Sequence, residues 1–475
     1  MKKTQLFFWS ILAVTTLFIS ACGKEGCTDP NALNYDPDAK SSSGDCEYAD
    51  NKQSFTLSRS GNTVTVEGIT EADFRFYEDS IYLLKGFVYV RSGAVLTIEP
   101  GTVIKGDKNT KGSLIIERNS KIIAEGTATK PIVFTSSQAP GDRDYGDWGG
   151  VIVCGNAPTN LPGNEGIVEG GTDATFGGNN ASDNSGIIKY VRIEFAGIPF
   201  QPNQEINGLT LAAVGSETVI EYVQVSYSGD DSYEWFGGNV NASHLIAFRG
   251  WDDDFDTDNG YSGNLQFLVS LRDPNIADAS ASNGFESDND PAGSSATPFT
   301  SPVFCNVSLY GPNFTGSTSI STQFRTGLHL RRLSNLKLYN SVVTGFPEGL
   351  YIAKNTEGNL DNGSVQIENT IIAGCTENFA IDLSSSYDLA AWFNNASRNN
   401  SVLANNSDVQ LTDAFNLTNP NFQPLTGSPL LSGASFSNSN LSNSFFQQVT
   451  YRGAFDGTTD WTQGWANWDP QNTVY

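Results

Sequence analysis

Four short segments carry ionisable side chains at alternating positions: Tyr233 Glu234 Trp235 Phe236, Phe255 Asp256 Thr257 Asp258, Phe285 Glu286 Ser287 Asp288 and Leu328 His329 Leu330 Arg331. Side chains of a strand alternate between its two faces. As successive rungs of one sheet, the four segments place Glu234, Asp256, Glu286 and His329 in one outward column, with Asp258, Asp288 and Arg331 in a second column beside it. Rungs of a parallel sheet lie about 4.8 Å apart. Two carboxylates at that separation repel by roughly 3.5 kcal/mol at an effective dielectric near 20. Such a ladder needs a bound cation, a raised pKa in at least one member, or loops that splay the acids apart.

A cation is the first remedy to consider. Asp252, Asp253, Asp254, Asp256 and Asp258 fall within seven residues, and Asn283, Glu286, Asp288 and Asp290 follow one repeat later. Calcium takes six to eight hard oxygen ligands, and the candidate set is Asp252, Asp254, Asp256, Asp258, Glu286 and Asp288. The spacing is not that of an EF-hand, since the glycine at the sixth position is missing. An acidic, solvated edge that keeps the molecule soluble is the competing reading.

The same column could work on polysaccharide. Glu234, Asp256, Glu286, His329 and Arg331 are the catalytic candidates, because paired carboxylates at about 5 to 5.5 Å suit retaining glycosidases and wider pairs suit inverting ones. In a calcium-dependent lyase, Arg325, Arg331 or Arg332 would take a proton acidified by the metal. Trp235, Trp251 and Tyr261, with Tyr227, are candidates to stack on sugar rings, although aromatics of this kind also fill cores. His244, in Ser243 His244 Leu245 Ile246, reads as a structural histidine.

The elements that would hold these residues are short strands. The chain has 475 residues, 47 of them glycine, and its strand-like runs alternate without intervening helices of βαβ length. Tyr190 Val191 Arg192 Ile193 recurs 32 residues later as Tyr222 Val223 Gln224 Val225, and Leu338 Tyr339 Asn340 Ser341 recurs after 29 as Ile367 Glu368 Asn369 Thr370. A shorter echo links Leu96 Thr97 Ile98 Glu99 to Leu114 Ile115 Ile116 Glu117. Repeats of this length predict an all-β solenoid, a right-handed parallel β-helix, ahead of an array of β-sandwiches.

Gly126 Thr127 Ala128 Thr129 Lys130 Pro131, then Gly146 Asp147 Trp148 Gly149 Gly150, resembles the first coils of a family of secreted or lipid-anchored β-helix proteins of Bacteroidetes-type bacteria. Asn421 to Pro429 resembles the way many bacterial β-helices end, and the tail Tyr451 Arg452 Gly453 Ala454 Phe455, with Trp461, Trp465 and Trp468, is similar to that family's C-terminus. The resemblance implies the fold but little about chemistry. In outline, Asp256 Thr257 Asp258 with Leu328 His329 Leu330 Arg331 also resembles strands of pectin-degrading β-helix hydrolases. It departs from them around the histidine and in the order of the paired aspartates, so no catalytic role carries over.

Met1 Lys2 Lys3 and the apolar run Leu6 to Ile19 have the form of a secretory signal over residues 1–21. Ile19 Ser20 Ala21 Cys22 resembles a bacterial lipobox, which implies lipidation of Cys22 and a membrane anchor. Residues 22–50 then read as a linker and small module closed by a Cys27–Cys46 disulfide, resembling a cell-surface module whose Asp29, Asp36, Asp38 and Asp45 could hold calcium; a polar spacer is the plainer reading. Residues 51–440 are assigned to the β-helix and 441–475 to a Trp-rich cap or tail. Cys154, Cys305 and Cys375 sit in apolar runs without ligand spacing and read as small core residues. A net charge of -25 excludes nucleic acid or an anionic surface reached through a basic face. The functional expectation is an outer-membrane lipoprotein, facing periplasm or cell surface, whose calcium-stabilised acidic groove binds extracellular glycan or a partner protein. The alternatives are a polysaccharide lyase or hydrolase, and a scaffold of an outer-membrane transport assembly presenting an apolar patch around Trp461, Trp465 and Trp468.

Overall fold

Alternating apolar residues give each short strand one face that must be buried, and stacking strands of neighbouring repeats buries it. The computed structural model describes residues 24–28, 34–39, 41–42, 46, 52–201, 204–316, 318–353, 355–382 and 385–475. Residues to Lys52 and residues from Gln53 onward form two compact units. In the first, Cys27 and Cys46 are joined with their Cα atoms 4.9 Å apart, and Lys24 Nζ lies 2.6 Å from Asp36. The signal segment, Cys22, Asp29 and Asp45 lie outside the described residues.

The second unit is a parallel β-helix, with 27 strands joined in one network. It opens on an antiparallel hairpin, Thr56–Ser60 with Thr63–Thr70. Beyond it, coils stack through three parallel ladders, exemplified by Ile188↔Ile220, Val191↔Val223 and Leu209↔Tyr233. The 32-residue repeat is therefore one coil, as is the 29-residue repeat, which pairs Leu338 with Ile367 and Val342 with Ile371. The shorter echo is not a coil. Leu96 pairs with Ile122, whereas Leu114 lies on another ladder beside Val88 and Val151. Both runs satisfy the same inward alternation, and that alone made them alike.

Two of the ladders meet at a corner with one left-handed residue per coil. Tyr190 (φ 49°), Tyr222 (55°), His244 (57°) and Phe267 (62°) are followed there by Asn306, Asn340 and Asn369. Asparagine tolerates this conformation, while aromatic residues are held in it by their surroundings. Tyr190 stacks on Tyr222 with ring centroids 4.5 Å apart, and Tyr222 on His244 at 4.3 Å. Burial among these rings pushes the His244 pKa down to about 4, so the imidazole is a neutral structural group. Cys154 and Cys305 are buried and Cys375 is partly buried.

After the last coils the chain turns back along the flank. Trp465 is buried, and Trp461 and Trp468 are half-buried, in a cluster with Phe195, Ile246, Phe248 and Val269. These tryptophans therefore pack inward against the solenoid instead of forming the exposed patch that a scaffold would present.

Candidate functional site

The acidic column lies on the third ladder. Thr210 pairs with Glu234, Glu234 with Asp256, Asp256 with Glu286, Glu286 with His329 and His329 with Tyr351. Each strand is anchored by its alternate residues: Tyr233, Trp235, Phe255, Phe285, Leu328 and Leu330 are fully buried. The same anchoring corrects two ligand-binding assignments. Trp235 and Tyr261 lie in the core, stacked 5.5 Å apart, and the Tyr261 hydroxyl donates to the Val240 carbonyl at 2.8 Å. Neither can meet a ligand on the outer face. Trp251, in contrast, is 39% exposed, and stands edge-on to Tyr145 at 5.5 Å.

The column divides electrostatically. Toward its later end the acids have partners. His329 Nδ1 lies 3.0 Å from Glu286, which also takes an ion pair from Arg331. Arg331 Nε and Arg332 Nη1 reach Asp288 at 2.8 and 2.5 Å. Burial would raise Glu286, but the His329 hydrogen bond and the Arg331 charge outweigh it and hold its pKa low. The same carboxylates push the Arg331 pKa up against its burial, which makes it a poor base.

Toward the earlier end there is no such neutralisation. Two triads of carboxylates, Asp230 with Asp231 and Asp252, and Asp231 with Glu234 and Asp256, each bring one oxygen per residue within 4.8 Å of the others. Asp231 belongs to both. Glu234 accepts a hydrogen bond from the Asn207 side chain. Asp256 is only half-buried, yet its Oδ1 is shut off from solvent with no donor. Burial, and then neighbouring acids, drive Asp230, Asp231, Glu234, Asp253 and Asp256 well above the ordinary carboxylate range.

A second row of side chains sets the geometry at the corner before these strands. Asp231 Oδ1 accepts the Asp253 N–H at 2.8 Å, Asp253 Oδ1 accepts the Asn283 N–H at 2.5 Å, and Asn283 Oδ1 accepts the Thr326 N–H at 3.3 Å. One oxygen of each aspartate is thus engaged with the next coil, and both residues line an acidic pocket beside Glu234 and Asp256. The groove above has a volume of about 840 Å³, with Tyr145 and Trp251 on one side and Arg331 and Arg332 at one end. Glu169 enters it from a turn and Glu205 from the strand Gln204–Ile206 of a small antiparallel hairpin; burial, with the charge of Glu205, lifts the Glu169 pKa to about 7.

Of the proposed metal ligands, Asp252 and Asp256 lie in the triads and Glu286 lines the groove. Asp254 does not join them: it is fully buried and paired with the fully buried Arg272 at 2.8 Å. Asp288 is occupied by two arginines, and Asp258 accepts the Asn259 N–H at 2.5 Å outside both triads. Asp230, Asp231, Glu169, Glu205 and Asn207 were missed. The aspartates had a signal, because Asp230 Asp231 precede Tyr233 Glu234 with the spacing of Asp252 Asp253 before Phe255 Asp256. The two glutamates had none.

A profile of pectate-lyase-like β-helix domains matches residues 68–466. The chain belongs to this family. No curated protein matches it. The Dettilon tailspike protein, known from a crystal structure, is similar at 10% identity and a TM-score of 0.22, with 71% of this chain and 63% of that chain covered. The pectate-lyase-like match takes in the whole acidic column and the returning tail as far as Ala466.

Proposed function

We propose that this pectate-lyase-like β-helix is a glycan-binding protein of the cell envelope whose groove is organised by calcium. The observation that carries the reading is the pair of carboxylate triads sharing Asp231, beside the donorless Asp256 Oδ1. Asp230, Asp231, Glu234, Asp252 and Asp256 supply hard oxygens only, the donor type calcium prefers, and Glu169 and Glu205 can add to them from across the groove. A cation there would neutralise acids that otherwise hold protons, and would offer an open coordination position to sugar hydroxyls or carboxylates. Trp251 and Tyr145 supply an apolar wall suited to a pyranose face.

Binding is favoured over turnover by Arg331, whose proton is stabilised by Glu286 and Asp288, the reverse of what a lyase base requires. In this reading the Cys22 lipid holds the protein at the outer membrane, facing periplasm or cell surface, and extracellular glycan is the partner. Calorimetric titration with calcium, followed by binding assays on a panel of neutral and acidic polysaccharides, tests it. Saturable calcium binding and calcium-dependent retention of at least one glycan are expected. Release of reducing ends or of unsaturated uronate absorbance would replace binding by catalysis.

A further inference from the structure

The returning tail is held in a way that the glycan reading does not require. Three side-chain amides of the solenoid each grip one residue of the returning chain by both its N–H and its carbonyl, two of them within the tail and one just ahead of it. Gln224 Nε2 donates to the Asn467 carbonyl at 2.8 Å while its Oε1 accepts the Asn467 N–H at 2.8 Å. Gln266 does the same to Gln447 at 2.8 and 2.7 Å, and Asn340 to Ser435 at 3.1 and 2.9 Å. Between these clamps, Asn306 Nδ2 donates to the Tyr451 carbonyl at 2.9 Å and Ser308 Oγ accepts the Ala454 N–H at 3.0 Å. All of these contacts read main chain, the property shared by surfaces that bind extended polypeptide.

Apolar anchors sit between the polar ones. Trp465 stands edge-on to Tyr190 and Tyr222, both at 6.0 Å, Trp461 edge-on to His244 at 5.1 Å, and Trp468 edge-on to Phe248 at 5.1 Å. At the far end the Tyr475 hydroxyl donates to the buried Glu194 at 2.6 Å. Yet Gln447–Tyr475 contributes no strand to the β-helix network, so its departure breaks no ladder bond. The chain leading into it is exposed at Ser442, Asn443 and Ser444, where a crossover between molecules could form. Exchange of an identical element between protomers is a low-cost route to dimers, because every contact is already built.

We propose that the flank from Glu194 to Asn340 is a polypeptide-binding surface, and that Gln447–Tyr475 of a second copy of this chain can occupy it in place of the molecule's own tail. The Gln224 and Gln266 clamps, with the Asn340 carbonyl that accepts the Gly453 N–H at 2.7 Å, recognise the segment without regard to which molecule supplies it, while the Asn340 side chain keeps Ser435 of its own molecule ahead of the crossover. The shared tail then links two solenoids through the exposed crossover.

The test uses the full chain with a protease site placed at 442–444. One preparation carries a fluorophore on the tail and a second carries an affinity tag on the solenoid; both are cleaved, mixed and later separated by the tag. Transfer of labelled tail to the tagged solenoid is expected, at temperatures where the β-sheet circular dichroism is intact. Asn467→Pro in the labelled tail removes a clamped N–H without touching the solenoid and should speed tail loss by about tenfold or more. Gln224→Ala with Gln266→Ala should do the same from the other side. Uncleaved protein at high concentration should yield a dimer by sedimentation. If label transfers only once the sheet signal is lost, the tail is an integral part of the fold and the proposal is overturned.

Discussion

The carboxylate of Asp231 accepts the main-chain N–H of Asp253 one coil later, at 2.8 Å, and belongs to both acidic triads. The backbone of the helix thereby fixes the direction in which the central acid of the groove points. A cation placed there meets a ligand that has already lost its rotational freedom.

Substitution along the column should therefore divide at Glu286. Asp256→Asn, which alters a donorless oxygen, is expected to weaken calcium binding by about tenfold or more, close to 1.4 kcal/mol. Glu286→Gln, at a carboxylate already engaged by His329 and Arg331, should change it far less. Calorimetric titration of both variants checks the contrast, and equal affinity in Asp256→Asn and wild type would remove the metal from this site.

Protonation gives a second handle. Burial, and then Asp288, raise Asp258 to about 8, whereas an unfolded aspartate titrates near 3.9. Between those values the folded chain holds a proton that the unfolded chain has released. The contribution is thus complete below about 3.9 and is lost as pH climbs through about 8. In chelator, the melting temperature should fall from pH 5 to pH 8.5. Asp258→Asn should flatten that slope, each unit of pKa difference being worth about 1.4 kcal/mol.

Two tryptophans separate core from groove. Trp235→Ala should cost about 3–5 kcal/mol in denaturant unfolding, as expected for a large buried side chain. Trp251→Ala should leave stability nearly unchanged and reduce glycan retention. A loss of glycan binding in a stably folded Trp235→Ala protein, with none in Trp251→Ala, would contradict the assignment of the stacking wall.

The Asp254–Arg272 pair, fully buried at 2.8 Å, offers a stability test independent of function. Arg272→Ala leaves an unpaired carboxylate and should cost about 3–5 kcal/mol. Joint replacement by Asp254→Ala and Arg272→Ala should cost less than the two separate losses added together. A strictly additive result in denaturant melts would show that the pair is not coupled.

Much of this could be read before any coordinates. Strand alternation and the recurrence of Tyr190 Val191 at Tyr222 Val223 located the coils, and the acidic register followed because stacked strands align their alternating positions. The two errors have different origins. Trp235 sits one residue from Glu234 and so faces the opposite way. Asp254 has the same parity as Asp256, but it stands at the corner before the strand Phe255–Asp258, where alternation no longer governs direction, and it turns inward to Arg272. Glu169 and Glu205 were beyond reach, since they arrive on a turn and on a hairpin outside the coil ladders, whose course depends on packing such as the close approach of Gly170 to Ile206. Arg272 was missed because a cation far along the chain gives no local sign of its buried partner.

A solenoid made only of neighbour-to-neighbour contacts unzips from its ends, each coil melting nearly on its own. The flank tail changes that order of events. By gripping Asn340, Gln266, Gln224 and Glu194 in succession, it ties near and distant coils of the solenoid into a single mechanical unit, like a splint along a spring. Thermal or tensile fraying that reaches one of these coils must peel the splint before it advances. The stretch of helix carrying the acids is protected lengthwise.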